Sequence, residues 1–259
     1  MKLHFRASPA EQAQAVFRKL TQRYGQEASP ETADVIVTLG GDGETLSALR
    51  DSICFNKPVY GINFGHKGHF QNTYCPDVDL IERIAAAETF RLRPLQVTAT
   101  SVDGTIKSEF AINETQICKL QPPEMIFMRA LINGKECVAR FGGDGVAIAS
   151  NLGSTAYSHS SDNVPLPFGD DLLAFTPLAQ HKPLNVYRGV LRACDAVRIE
   201  ILDYTYRPAQ AYADKVCLSK NVRFVDVARA KRKHYSLMFD RDNPPHTRVL
   251  RVQFPNHVP

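Results

Sequence analysis

Val35-Ile36-Val37-Thr38-Leu39-Gly40-Gly41-Asp42-Gly43 is the stretch that decides the fold. Its first five residues are apolar or β-branched, opened by Asp34 and closed by glycine, which predicts a short strand buried on both faces. Gly-Gly-Asp-Gly directly after it predicts a loop at 40–43, with a short helix over 45–51. Such a loop places free N–H groups and one carboxylate at the carboxyl edge of a parallel sheet, the edge where α/β folds hold ligands. Glycines let a phosphate approach the backbone, and Asp42 can accept a hydroxyl proton or hold a magnesium ion. The competing reading is a tight turn with a solvated Asp42. The sequence contains neither a GxxxxGK[ST] phosphate loop nor the HRD and DFG sets of protein kinases.

The flanks extend the pattern. Ser8, Pro9 and Glu11 read as a capping box, and Ala13, Val16, Phe17 and Leu20 then recur as one face of a helix. Residues 58–62 read as a second strand followed by Gly61, Gly65 and Gly68; Leu80, Ile81, Ile84 and Ala85 mark another helix. Strands alternating with helices imply a parallel sheet with helices on both faces. From about Leu92 the pattern becomes β-rich, with strands expected at 96–100, 105–111, 125–132, 197–202 and 222–227. Asn133-Gly134 signals a type I′ hairpin turn joining 130–132 to 136–141, and one helix is expected from about Ser154. The fold class is thus an α/β N-terminal domain followed by a β-rich C-terminal domain. A second Gly-Gly-Asp-Gly stands at 142–145, but its flanks do not match the first, which argues against duplication.

Composition narrows the function. With 259 residues, 44% hydrophobic, and 31 Lys plus Arg against 27 Asp plus Glu, the chain is a nearly balanced globular protein, and disordered or fibrous classes are excluded. The one basic run, 229–233, reads as a solvated turn, so no nucleic-acid partner is expected. No run nears the roughly 20 apolar residues of a membrane span, and residues 1–8 lack a signal-peptide core, so a cytoplasmic location without membrane contact is expected. Six scattered cysteines without a CxxC pair argue against a zinc ribbon or a disulfide framework, and most of them read as buried or half-buried thiols in a reducing compartment. His66 and His69 have HxxH spacing but lack further ligands, so no metal site is assigned and a polar loop is expected there. The phenylalanines of the tail read as core.

Other motifs add chemistry. Asn113-Glu114 ends a strand pattern with an amide and a carboxylate able to read ribose hydroxyls or base edges. Gly142–Gly145 and Gly153-Ser154-Thr155-Ala156-Tyr157-Ser158 flank the run 146–150, and the second opens a helix whose positive end suits an anion. GGDG, GINFGxxG, NE, GDG, GSTAYS, Thr176-Pro177 and Asp214 follow one another in an order and spacing that resembles the NAD kinase family from about Val35 to Asp214. GGDG alone is shared with lipid kinases and phosphofructokinases; the ordered set is specific.

The resemblance implies an N-terminal α/β domain over 1–92, to which a tail of about 230–259 returns, and a β-rich NAD-binding domain over 93–229. It implies phosphoryl transfer to the 2′-hydroxyl of the adenosine ribose of NAD, making NADP, with ATP or polyphosphate as donor and Mg²⁺ as the divalent cation. Asp42 would be catalytic, and Gly40, Gly41 and Gly43 would form the phosphate loop. NAD would be held by Asp42, Gly43, Asn113, Glu114, Asp144, Thr155, Ala156, Tyr157, Ser158, His159, Ser160, Ala179 and Lys215. A homotetramer or homodimer is implied as well. The sequence departs from the family pattern at Glu44, where Thr or a small or apolar residue is usual, and at His69-Phe70, where Phe-Leu is usual. Ser150-Asn151-Leu152 replaces Thr-Pro-Thr, Asp162-Asn163-Val164 replaces a Gly-Gly-Pro-like tract, and Lys215 stands where Gln or His is commoner. A lipid or sphingoid-type kinase sharing GGDG and a catalytically silent NAD(P)-binding sensor are the alternative readings.

Overall fold

The computed structural model describes residues 1–65, 68–122, 124–181 and 188–254; His66, and with it the HxxH spacing, lies outside the described residues. The chain divides into two compact units, residues 1–92 with 232 onward, and residues 93–231.

The first unit opens with β1 (Leu3–Ala7), α1 (Glu11–Tyr24), β2 (Val35–Gly40), α2 (Asp42–Phe55), β3 (Pro58–Asn63), α3 (Leu80–Ala86) and β4 (Glu88–Leu92). β2 is buried along its whole length because it is covered on both sides. Val35, Val37 and Leu39 share a core with Ala13 and Val16 of α1 and Leu80 and Ile84 of α3. On the opposite face Thr38 Oγ1 meets Thr45 Oγ1 of α2 at 2.7 Å. Alternating strand residues point to opposite faces, which is how one strand serves two helical layers.

Three local expectations change here. α1 has Ala10 as its N-cap with no side-chain cap, so the Ser8–Glu11 capping box does not form; Ser8 instead ties its N–H to Leu39 O at 2.8 Å. α2 runs from Asp42, well before 45, so Asp42 and Gly43 belong to its first turn. It ends at Asn56, whose φ of 53° is the left-handed conformation common at helix C-termini. The strand β1 carries no glycine signal in sequence; it forms because Leu3 and Phe5 join the core beside β2.

The second unit begins with β5 (Leu95–Ser101), β6 (Ile106–Ala111), β7 (Glu114–Lys119), β8 (Ile126–Ile132), β9 (Lys135–Gly143) and β10 (Gly145–Ser150). It continues through α4 (Tyr157–Ser160), β11 (Leu172–Leu178), β12 (Gly189–Arg192), β13 (Val197–Ile201), β14 (Ala209–Ala213), β15 (Val216–Ser219) and β16 (Val222–Arg229). Two six-stranded antiparallel sheets result, ordered β12-β11-β10-β7-β14-β15 and β6-β5-β16-β13-β8-β9. Residues such as Val97, Ile117, Phe141, Ile148, Phe175 and Ile199 from both sheets share one core. The chain crosses between these sheets repeatedly, among other places at Ile112-Asn113, between β6 and β7, and at Asp144, between β9 and β10. Asn133 and Gly134 both have positive φ, 52° and 76°, as a type I′ turn requires.

The helix expected from Ser154 is interrupted. Residues Gly153–Thr155 form one 3₁₀ turn, Ala156 leaves helical geometry (φ −96°, ψ −125°), and α4 has four residues, too few for the anion-binding end expected of it. The basic run also differs from expectation: Arg229 is buried and donates to Arg93 O, Asn151 Oδ1 and Leu172 O, while Lys231, Arg232 and Lys233 are exposed. Of the cysteines, Cys75, Cys118 and Cys217 are half-buried, and Cys54, Cys137 and Cys194 are exposed.

The chain then re-enters the first unit. β17 (Tyr235–Phe239) pairs in parallel with β3 and antiparallel with β4, giving the sheet order β1-β2-β3-β17-β4, and α5 (Pro245–Gln253) follows. Phe239 is core, as its apolar strand pattern requires, whereas Phe254 is half exposed.

Candidate functional site

In the first unit the site residues gather where β2 becomes α2. Gly40 is the last strand residue, Gly41 caps the helix with extended geometry (φ −95°, ψ 179°), and open space lies where a Gly41 side chain would project. The Asp42 carboxylate accepts the His69 N–H at 3.1 Å on one oxygen and the Phe70 N–H at 3.0 Å on the other. A carboxylate has about four lone-pair positions, so each oxygen keeps capacity for one more proton donor. His69-Phe70 therefore contributes backbone amides, which explains why the side chains there can depart from Phe-Leu. Glu44, in the first turn of α2, is taken by Arg6 of β1: Nε–Oε1 is 3.0 Å, and the same guanidinium reaches Asp51 at 2.6 Å and Ser47 at 3.0 Å. That cation offsets the carboxylate that would otherwise repel a polyanion at the helix end.

In the second unit the corner between β6 and β7 carries Asn113 and Glu114. Its backbone is clamped by Asp214, whose carboxylate accepts N–H groups from Ile112, Asn113 and Glu114 at 2.8–3.2 Å, while the Asp214 N–H returns to Glu114 O at 2.9 Å. Gly153 packs so closely that a Cβ there would stand 2.2 Å from Asn113 O. Two buried polar atoms on this corner, Asn113 Oδ1 and Glu114 Oε2, have no hydrogen-bond partner among the described residues. Burial first, and then the charge of Asp214, push the Glu114 carboxyl up to about 7. Orphaned buried polar atoms are uncommon in folded proteins, and here they sit beside a protonatable acid, an arrangement suited to a polar ligand.

The other expected residues spread over the rest of this unit, and Asp144 and Ala179 lie at the end of β7 opposite to that corner. The Asp144 N–H bonds Leu178 O at 2.9 Å, which brings Asp144 next to Ala179, itself in the left-handed region at φ 41°. The Asp144 side chain pairs with Lys119 Nζ at 2.7 Å. Thr155 donates its hydroxyl to Leu152 O, buried Ser158 shares a 2.7 Å bond with Thr176, and Ser160 bonds Ala156 O. His159 faces Asn163 O at 3.3 Å through Nδ1, and Tyr157 is exposed. Lys215 is exposed in the turn between β14 and β15, where Asp214 has φ 49°.

Departures in this unit are bound into the scaffold. Buried Asn163 donates to Thr176 Oγ1 at 2.7 Å and to Phe175 O at 3.2 Å, fixing the loop after α4. Asn151 bridges Pro167 O and Arg229, and Ser150 joins Ile112 O to the Gly153 N–H. Four participants were not assigned from sequence: Arg6, Lys119, Thr176 and Asp214. Asp214 and Thr176 stood in the motif order, but only the structure shows their hydrogen bonds. Nothing in the sequence pairs Lys119 with Asp144. Among the described residues no group of three or more His, Cys, Asp or Glu side chains is arranged to hold a metal ion.

Comparison with known proteins gives the family of the chain. A family model described as the ATP-NAD kinase N-terminal domain matches residues 1–88. The NAD kinase of Xanthomonas oryzae pv. oryzae is 35% identical over 254 residues, covering 98% of this chain and 97% of that protein. The NAD kinase of Hyphomonas neptunium is 36% identical over 254 residues, covering 98% of each. In fold the chain is similar to an NAD kinase from Archaeoglobus fulgidus in complex with ATP, with a TM-score of 0.76, 18% identity and 98% coverage of both chains. It is equally similar to yeast NADH kinase complexed with NADH, with a TM-score of 0.75, 18% identity, and coverage of 99% of this chain and 88% of the other.

Proposed function

Because the chain belongs to the NAD kinase family, we propose that it is a kinase that phosphorylates the 2′-hydroxyl of the adenosine ribose of NAD to give NADP. ATP is the phosphoryl donor in this reading, with polyphosphate as a second candidate. The near-full-length identity to NAD kinases carries the proposal, and the orphaned Asn113 Oδ1 and Glu114 Oε2 support it.

The chemistry divides among named groups. A ribose hydroxyl is a weak nucleophile, so Asp42 accepts its proton on a lone pair left free by the His69 and Phe70 amides. The 2′-oxygen forms a bond to the terminal phosphorus, the bond from that phosphorus to its bridging oxygen breaks, and ADP leaves with the electron pair. In-line transfer of this kind is chiefly positioning and charge neutralisation. Gly40, Gly41 and Gly43 let the donor phosphates approach the start of α2. Asn113 and Glu114 hold the dinucleotide, with Asp144, the residues 155–160, Ala179 and Lys215 around it. No protein side chain is assigned to Mg²⁺ in this reading. Magnesium in this reading enters with the nucleotide as part of the co-substrate.

The silent-sensor reading loses its main motive once Arg6 neutralises Glu44 and Asn163 anchors the 162–164 tract. We extend the proposal to a cytoplasmic homodimer or homotetramer; light scattering on the purified protein measures that state. Incubation with NAD, Mg²⁺ and either ATP or polyphosphate, followed by an NADP-specific dehydrogenase readout, tests the activity. NADP formation is expected with ATP. Tight NAD binding without turnover on any donor would instead favour the sensor.

A further inference from the structure

Arg248, in the middle of α5, is almost fully buried, and its guanidinium faces carbonyl oxygens rather than a carboxylate partner. One terminal nitrogen donates to Gly68 O at 3.3 Å and to Gln71 O; the other reaches Asn243 O at 3.2 Å and Asn72 Oδ1 at 3.4 Å. The ring of Phe239 lies 4.7 Å beneath it. Nε has no partner among the described residues.

The position of these acceptors is informative. Gly68 and Gln71 bracket His69 and Phe70, the two residues whose amides hold Asp42. At its far end the segment is locked into the sheet: Asn72 exchanges backbone bonds with Gly61 and Asn63, and its side-chain amide reaches Gly61 O and Met238 O. At its near end, Asp42 anchors 68–70 on one side and Arg248 on the other.

We propose that Arg248 is a positioning residue for phosphoryl transfer, fixing the 68–71 turn so that its amides hold the Asp42 carboxylate in a reactive orientation. This rests on the reading of Asp42 as the base. Burying a guanidinium without a contacting carboxylate is costly, and an apolar side chain could anchor a helix there at less expense. Burial indeed pulls Arg248 down to about 10, against the charges of Asp240 and Asp42, which favour its protonated form. Asp240 is itself engaged by Arg83 and by Tyr60. The guanidinium fork is suited to this role because it reaches three carbonyls and an amide oxygen at once, one acceptor more than the three protons of an ammonium can serve.

The test compares Arg248→Lys, Arg248→Ala, Asp42→Asn and, as a control on the exposed face of α5, His246→Ala in the full chain. Steady-state rates, NAD binding isotherms and melting curves are measured for each. A misaligned base lowers kcat while leaving ground-state binding alone. Arg248→Lys is therefore expected to lose about ten-fold in kcat and Arg248→Ala more, with KM for NAD within about three-fold and His246→Ala near wild type. If Arg248→Ala fails to fold, Arg248→Lys decides. Folded Arg248 variants with kcat within about two-fold of wild type, beside an inactive Asp42→Asn, would overturn the brace while leaving the base in place. Full turnover in Asp42→Asn would remove the base assignment and the brace with it.

Discussion

The same four residues, Gly-Gly-Asp-Gly, occur once in each unit and do different work. At 40–43 they turn a parallel strand into a helix: Gly41 is open, and Asp42 lies at the helix start, held by amides from another segment. At 142–145 they carry the chain from one antiparallel sheet to the other, with Asp144 the single residue between β9 and β10. There the glycines are demanded by packing. A Cβ on Gly143 would stand 2.7 Å from Leu178 O, and one on Gly145 2.1 Å from Ile117 O. One tetrapeptide leaves room for a ligand, and the other removes room so that strands can meet. The difference comes from the partners each meets in the fold.

The largest effect is expected where that contrast is steric. Gly145→Ala must push backbone against backbone, so a loss of about 4 kcal/mol is expected, lowering the melting temperature by roughly 8 °C or more. Gly41→Ala should melt within about 2 °C of wild type yet turn over more slowly, because its methyl group occupies the open approach to the helix start. Equal melting of the two variants would erase the distinction.

Next comes Glu114. Its folded carboxyl lies at about 7 against an ordinary 4.5, because of burial and Asp214. The folded state keeps a proton that the unfolded chain releases, so this contribution is complete below about pH 4.5 and is lost as pH rises through about 7. Wild type should lose up to about 3 kcal/mol relative to Glu114→Gln between pH 4.5 and 8, as denaturant titrations at several pH values would read. Parallel curves would contradict the shift.

A smaller effect is expected at Asp144. Its pair with Lys119 is partly exposed, the side chains being 47% and 22% accessible, so solvent screening limits its worth to about 1 kcal/mol. Lys119→Met should weaken NAD binding by up to about five-fold and leave kcat nearly unchanged. Smallest of all is Glu44→Thr. Arg6 keeps Asp51 and Ser47 as partners when Glu44 is removed, so a stability change within about 0.5 kcal/mol is expected, with turnover retained.

Much of this molecule is legible in sequence where one element's own residues decide it. The all-buried β2, the Asn133-Gly134 turn and the alternation of strand and helix in the first ninety residues are local patterns, and each is present. The extent of α2 was hidden because Gly43 is a poor helix former, yet the packing of Leu46, Leu49 and Ile53 extends the helix through it. The four-residue α4 was hidden because its limits are set by the fold: Ala156 leaves helical geometry before it, and Asp162 turns left-handed after it (φ 60°), where Asn163 is tied to Phe175 O and Thr176. Arg229 resembles a surface residue in sequence because its partners come from residues 57–136 positions away. The clamp of Asp214 on 112–114 and the reach of Arg248 to 68–72 are likewise long-range, and no local spacing encodes them.

The central claim is that Asp42 takes the proton from the hydroxyl that is phosphorylated. Asp42→Asn is nearly isosteric but cannot take the proton; its amide oxygen keeps one of the two backbone N–H bonds that the carboxylate accepts, and the other is lost at a cost of about 1 kcal/mol. Turnover of NAD to NADP with saturating ATP should fall by about 100-fold or more, with the melting temperature and the NAD isotherm close to wild type. Turnover near wild type in a folded, NAD-binding Asp42→Asn protein would contradict the account.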